Sequence, residues 1–196
     1  RVYAYGTPPE ADRRALFERD PVHMNETLET VRGGAMWVLF ADDTDLRMGA
    51  SSQLTIDTYV YDPDSRTGRQ AIEMTSGAFR FISGGMAKEG IELSTPTALI
   101  GIRGTDIEVA VADTGATTVD VNTGQIDVTA VGSGESISVG PGQSVSVGAG
   151  GNSISTAAAT PGTPDDGLAD SAGIGSGMGA GDGDGSGGSG GGGGSH

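Results

Sequence analysis

From Met36 to Val147 the chain sets apolar side chains at alternate positions in short runs, separated by glycine, proline, asparagine or aspartate. A period of two marks a strand with one buried face, and the separators are turn residues. The clearest runs are Ile72/Met74, Phe79/Phe81, Ile91/Leu93, Ile107/Val109/Val111, Val119/Val121, Ile126/Val128, Ile137/Val139 and Val145/Val147. Leu54, Ile56, Tyr59 and Tyr61 belong to a β-branched and aromatic stretch that stops at Asp62-Pro63-Asp64, and Leu99, Ile100 and Ile102 form another apolar run. Met36-Trp37-Val38-Leu39-Phe40 does not alternate, which predicts a strand buried on both faces. Turns are predicted at Asp42-Asp43, Asn122-Thr123-Gly124, Gly132-Ser133-Gly134 and Gly140-Pro141-Gly142. Strands returning every roughly 7–11 residues predict an all-β fold: a sandwich, a barrel or a short β-solenoid.

The two ends depart from this pattern. Val2-Tyr3-Ala4-Tyr5 reads as a short strand, and Thr7-Pro8-Pro9-Glu10 has the form of a capping box with proline at the first helical position. A short helix over Ala11–Arg19 is therefore predicted. After Ser155 the apolar positions thin out, and Ala157 to His196 holds five aspartates and no Lys or Arg. Glycine takes every second position from Gly173 to Gly187. Such composition is ordinarily a flexible linker. As a strand, it would present one bare face that another backbone could approach closely. The expected organisation is an N-terminal strand and linker over residues 1–19, a β domain over 20–156 and a Gly/Asp-rich tail over 157–196.

Charge and residue inventory narrow the chemistry. The formal net charge is −15, with no cysteine and two histidines. Nucleic acid and anionic membrane surfaces are disfavoured partners. Disulfides, thiolate nucleophiles and thiolate metal sites are excluded. His23 has no nucleophile motif nearby, so an exposed loop histidine is expected there rather than a member of a Ser-His-Asp arrangement. Asp62, Asp64 and Glu73 imitate a calcium-loop spacing, but Arg66 and Thr67 occupy a ligand and the glycine position. Asp42/Asp43/Asp45 and Asp182/Asp184 are the remaining weak calcium candidates; no other cofactor or metal is expected. No apolar run approaches the roughly 20 residues that cross a bilayer.

One stretch stands out: Thr95-Pro96-Thr97-Ala98-Leu99-Ile100-Gly101-Ile102-Arg103-Gly104-Thr105-Asp106. Arg103 lies between two apolar strands, where a partly buried guanidinium needs a carboxylate. Asp57, flanked by Ile56 and Thr58, is the first expected partner and Asp106 the second. The pair is expected to fix strand register.

This stretch resembles the hallmark segment of the FecR domain. Further segments are similar to that domain in the same order: Asn25-Glu26-Thr27-Leu28-Glu29-Thr30, Leu39-Phe40-Ala41-Asp42-Asp43-Thr44, Ser52-Gln53-Leu54-Thr55-Ile56-Asp57, Val60-Tyr61-Asp62-Pro63, Gly77-Ala78-Phe79-Arg80-Phe81-Ile82-Ser83-Gly84 and Pro141-Gly142-Gln143. The resemblance runs from about residue 20 to 148. It implies an all-β, partly solenoid-like fold outside the cytoplasm of a Gram-negative bacterium. Relatives of that kind include transmembrane regulators that relay an iron-siderophore signal to a sigma factor. The cytoplasmic helical part and membrane helix of those regulators are not found in this chain.

The expected function is a non-catalytic secreted or cell-surface module, structural or interacting, built into a homo-oligomer or filament. Assembly is expected through strand addition by Val2, Tyr3, Ala4 and Tyr5, or by the tail around Gly173, Gly175, Gly177 and Gly179. The alternative is a periplasmic sensor or regulator module that binds a receptor's signalling domain.

Overall fold

The computed structural model describes residues 2–6 and 13–159. The strands, in chain order, are β1 (Val2–Gly6), β2 (Arg14–Leu16), β3 (Glu26–Thr30), β4 (Met36–Leu39) and β5 (Asp45–Met48). The long strands β6 (Gln53–Asp62) and β7 (Thr67–Ile82) follow, then β8 (Ile91–Ser94), β9 (Ala98–Ile102) and β10 (Asp106–Val111). The series ends with β11 (Thr117–Thr123), β12 (Ile126–Ala130), β13 (Ser136–Val139), β14 (Gln143–Val147) and β15 (Ile154–Ala158). A 3-10 turn, Lys88–Gly90, precedes β8.

The strands form two sheets that share β7. The first runs β2-β1-β3-β6-β7-β8-β9-β12-β13, and the second β4-β5-β7-β10-β11-β14-β15. Thr67 to Ser76 of β7 pairs with β6, whereas Gly77 to Ile82 pairs with β10. All pairings are antiparallel except β7 with β8, whose connection carries the 3-10 turn. Buried positions on the two sheets share one core, from Leu28, Leu54 and Ile72 to Phe79, Val109, Val119 and Val145.

The crossing from one sheet to the other is written in the parity of the apolar residues. Ile72 and Met74 are buried in the first half of β7, Phe79 and Phe81 in the second. An inward face that switches from even to odd positions needs one irregular residue between. A register shift opposite Gln53/Leu54 and Gly77 at φ +107° supply it. A Cβ at Gly77 would lie 2.1 Å from Ser52 Oγ and 2.5 Å from its Cα. Glycine is required there on both counts, backbone conformation and space.

The all-β class predicted from periodicity is the observed one, and three local expectations change. Residues 14–16, placed in a predicted helix, form β2, a strand hydrogen-bonded to β1. A nine-residue helix is marginal by itself, and here a neighbouring strand offers a ready template, with Arg14 anchored on Glu26 by bonds of 2.9–3.2 Å. Met36–Phe40 is not buried on both faces: Val38 and Phe40 turn inward, while Trp37 and Leu39 are 64% and 63% exposed. Finally, the N-terminal strand, expected to stand apart from the β domain that begins at residue 20, is β1, which lies between β2 and β3 and continues the first sheet.

Candidate functional site

Arg103 sits where the chain leaves β9 for β10, crossing from the first sheet to the second. Gln125 lies on the neighbouring crossing from β11 to β12, and its carbonyl accepts the Arg103 N–H at 3.1 Å. The two crossings touch through glycine: a Cβ on Gly124 would fall 2.0 Å from the Gly104 carbonyl oxygen, and both glycines have positive φ. Thr105 N–H donates to Ser83 Oγ, and Ser83 N–H to the Thr105 carbonyl, both at 2.9 Å.

The threonines of the same segment hold the other end of β9. Thr95 Oγ1 receives the Ala98 N–H at 2.9 Å and lies 2.8 Å from Thr117 Oγ1. Thr97 Oγ1 donates to the Gly115 carbonyl at 2.7 Å and is 3.0 Å from Thr117 Oγ1. All three threonines are buried. Their hydroxyls thus join the two sheets where an apolar core would leave turn carbonyls without donors.

The expected ion pairs are rearranged. Arg103 binds Asp127 of β12, with Nε and Nη2 at 2.8 and 2.7 Å from Oδ2. The Arg103 side chain is 65% exposed and lies on the outer face of the first sheet. Asp127 also accepts the Ser138 hydroxyl from β13. That hydroxyl foremost holds the Asp127 carboxyl below the usual carboxylate range; burial opposes it, and the Arg103 guanidinium adds to the lowering. Asp106 instead takes a two-pronged bond from Arg80 across β7 and β10, at 3.0 and 2.8 Å. Asp57 is exposed beside the irregularity between Ile56 and Thr58 in β6, away from either arginine's ion pair.

Of the calcium candidates within the described residues, Asp42 and Asp45 have side-chain partners in the protein, and Asp43 is an exposed turn residue with φ +65°. Asp42 is buried; its Oδ1 accepts the Tyr59 hydroxyl at 3.0 Å and its Oδ2 the Thr44 hydroxyl at 2.7 Å. Asp45 holds Arg47 at 3.1 Å through both carboxylate oxygens. No group of three or more His, Asp or Glu side chains gathers among the described residues. Asp182 and Asp184 lie outside the described residues, as do Gly173, Gly175, Gly177 and Gly179. The expectation for Val2–Tyr5 is corrected: both edges of β1 are already hydrogen-bonded, to β2 and β3 of the same chain. No edge is left there for adding to a neighbour's sheet.

Around the Arg103–Asp127 pair lies an open groove of about 1230 Å³. Its floor is a row of outward positions, Glu92 on β8, Gly101 on β9 and Asp127 on β12, which register side by side. Gly101 contributes no side chain, so the row is lowest at its centre. Arg69, Glu89, Arg103 and Gln125 stand around it, and Leu99 adds an apolar edge at 43% exposure. Periodicity alone places Leu99 in a core run; its neighbours Ala98 and Ile100 are the buried ones. The only advance signal was the wrong parity of Leu99 against Ile100 and Ile102.

The sequence matches the FecR protein family over residues 26–127, just over half of the chain. The chain belongs to the FecR family. The matched span begins at β3, ends at the carboxylate that Arg103 binds, and contains all three threonines of the buried cluster. Two crystal structures of a candidate anti-sigma factor from Parabacteroides distasonis, at 1.65 and 2.50 Å, are similar in fold. Each has a TM-score of 0.54 at 19% identity over 67% of this chain. This FecR-family chain spans 59% of that protein's length. No curated protein matches the sequence. Among the described residues, no helix is long and apolar enough to cross a membrane.

Proposed function

We propose that this chain is a non-catalytic recognition module of a cell-envelope regulator or sensor, and that the groove beside Arg103 receives a segment of a partner protein. Family membership supports the regulatory reading, and the similarity to a candidate anti-sigma factor agrees with it. The observation that carries the proposal is the groove: a glycine-floored trough on the outer face of the first sheet, with one exposed leucine and mixed charges around it. Mixed arginine and carboxylate walls suit a polar peptide backbone and side chains of both signs. A leucine beside a glycine floor suits one apolar anchor. The groove offers no hydroxyl–histidine pair for acyl transfer. The compartment that goes with this role is the periplasm, and the partner is a receptor's signalling domain.

The test is binding of the full chain to such a domain encoded beside it in its genome. Leu99→Asp and Arg103→Glu are expected to weaken binding at least about tenfold, with thermal midpoints close to wild type. Thr118→Asp, on the outer face of the second sheet, is the control. Unchanged affinity in both groove variants, or an equal loss in the control, rejects the groove as the recognition surface.

A further inference from the structure

The first strand of the second sheet, β4, pairs with β5 and with no other strand among the described residues. Its outer edge therefore carries backbone groups without a ladder partner among the described residues. Which residues these are follows from the hairpin. Phe40 N–H donates to the Thr44 carbonyl at 2.9 Å, so Phe40 and Thr44 are a hydrogen-bonded pair. Such pairs alternate along an antiparallel ladder. Val38–Leu46 and Met36–Met48 are then bonded pairs, and Trp37–Arg47 and Leu39–Asp45 are not. The N–H and C=O groups of Trp37 and Leu39 point to the free edge.

The same two residues carry the large exposed apolar side chains, Trp37 at 64% and Leu39 at 63%. The Arg47 guanidinium lies 5.5 Å from the Trp37 ring centroid, so the indole is held against the sheet by a cation–π contact. An edge strand with hydrophobic side chains and free backbone groups is a template for another strand. Natural edges are commonly blunted by charge, proline or a bulge, and Met36-Trp37-Val38-Leu39 has none of these.

We propose that this edge pairs with the same edge of a second copy, antiparallel, about a two-fold axis through Val38. The register is self-complementary. Trp37 of one copy faces Leu39 of the other, and each pair exchanges two hydrogen bonds, using all four outward N–H and C=O groups per strand. On the outer face each exposed Trp37 then covers an exposed Leu39. The antiparallel arrangement also brings the Arg32 end of one strand toward the Asp43 end of the other, opposite charges on exposed residues. Two copies of a chain with net charge −15 repel, and the repulsion is screened by salt. Four-residue edges bury far less than the roughly 800 Å² per partner of a standard interface. The dimer is therefore weak and tightens as salt rises. This pairing does not involve the groove.

Sedimentation equilibrium of the full chain at low and high salt, with amide exchange by NMR, tests it. Expected are a monomer–dimer equilibrium and slowed exchange of the Trp37 and Leu39 amides as concentration rises. Leu39→Pro removes an outward N–H without breaking the β5 ladder, and Trp37→Lys with Leu39→Lys charges the edge. Each should raise Kd at least tenfold. The Lys variant should keep its urea midpoint, which guards against a proline variant that misfolds. A strict monomer at near-millimolar protein overturns the proposal. So does a dimer that protects another strand or ignores both variants, or protection of these amides only when a foreign protein is added.

Discussion

Asp127 takes a guanidinium from one neighbouring strand and a hydroxyl from the other. Its carboxyl should titrate below the ordinary value of about 3.9, and Ser138→Ala should move the midpoint upward more than Arg103→Ala, as read by carbon-13 NMR. A depressed carboxyl pKa contributes stability that is present above the unfolded value and lost as pH falls through the folded one. Arg103 is largely exposed. Arg103→Ala should therefore change unfolding free energy by no more than about 1 kcal/mol, as expected of a side chain that serves the groove more than the core. Tyr59 behaves in the opposite sense. Burial foremost, then its hydrogen bond to Asp42, pushes the phenol up to about 12. A raised pKa contributes stability that is whole below the unfolded value near 10 and lost as pH rises through the folded one. Wild type should lose stability over that alkaline interval, and Tyr59→Phe should flatten the slope while costing about 1–2 kcal/mol at neutral pH. Neither partnership is legible in the sequence. Arg103 and Asp127 meet because β9 and β12 are adjacent across a long connection, whereas Asp57, nearer to intuition, stands exposed on β6.

At the scale of elements, alternation was informative wherever a strand has one wet face, and misled where that assumption failed. Ile126/Val128 and Val119/Val121 point inward as the period predicts. Met36–Phe40 looked doubly buried because a sequence cannot show that its strand lies on an edge with no layer outside it. The helix expected over residues 11–19 lost to pairing with β1, a tertiary template that local propensity does not register. The change of parity between Met74 and Phe79, by contrast, was visible in the residues, and Gly77 is the device that produces it. Gly77→Ala should destabilise the fold by about 3 kcal/mol or more, since it adds a backbone conformation that L residues avoid to a clash with Ser52 main chain and side chain. Urea unfolding measures this. A loss under about 1 kcal/mol would mean that β7 can bend elsewhere, and that the shared strand is not pinned at Gly77.

At the scale of the whole molecule, the long β7 makes one body of the two sheets, and the terminal strands complete the edges of that body. The first sheet ends at β2 and β13, the second at β4 and β15. The N-terminal segment Val2–Gly6 fills the place between β2 and β3, with five residue pairs to β3 and three to β2. A strand lent to a neighbour and a strand used at home differ in what its removal does. Lent strands leave the isolated subunit as stable as before and abolish assembly; a strand used at home leaves β3 as a new edge and releases β2. Deletion of residues 1–6 should therefore lower unfolding free energy, by about 1–3 kcal/mol, even in dilute monomer. Amides of β2 and β3 should lose exchange protection first, while β9 and β12, at the far side of the same sheet, keep theirs. The groove lies on that far side, so partner binding should survive the deletion. Stability unchanged by the deletion would show that β1 contributes nothing to its own subunit and would return the N-terminal strand to the role of a donor between copies.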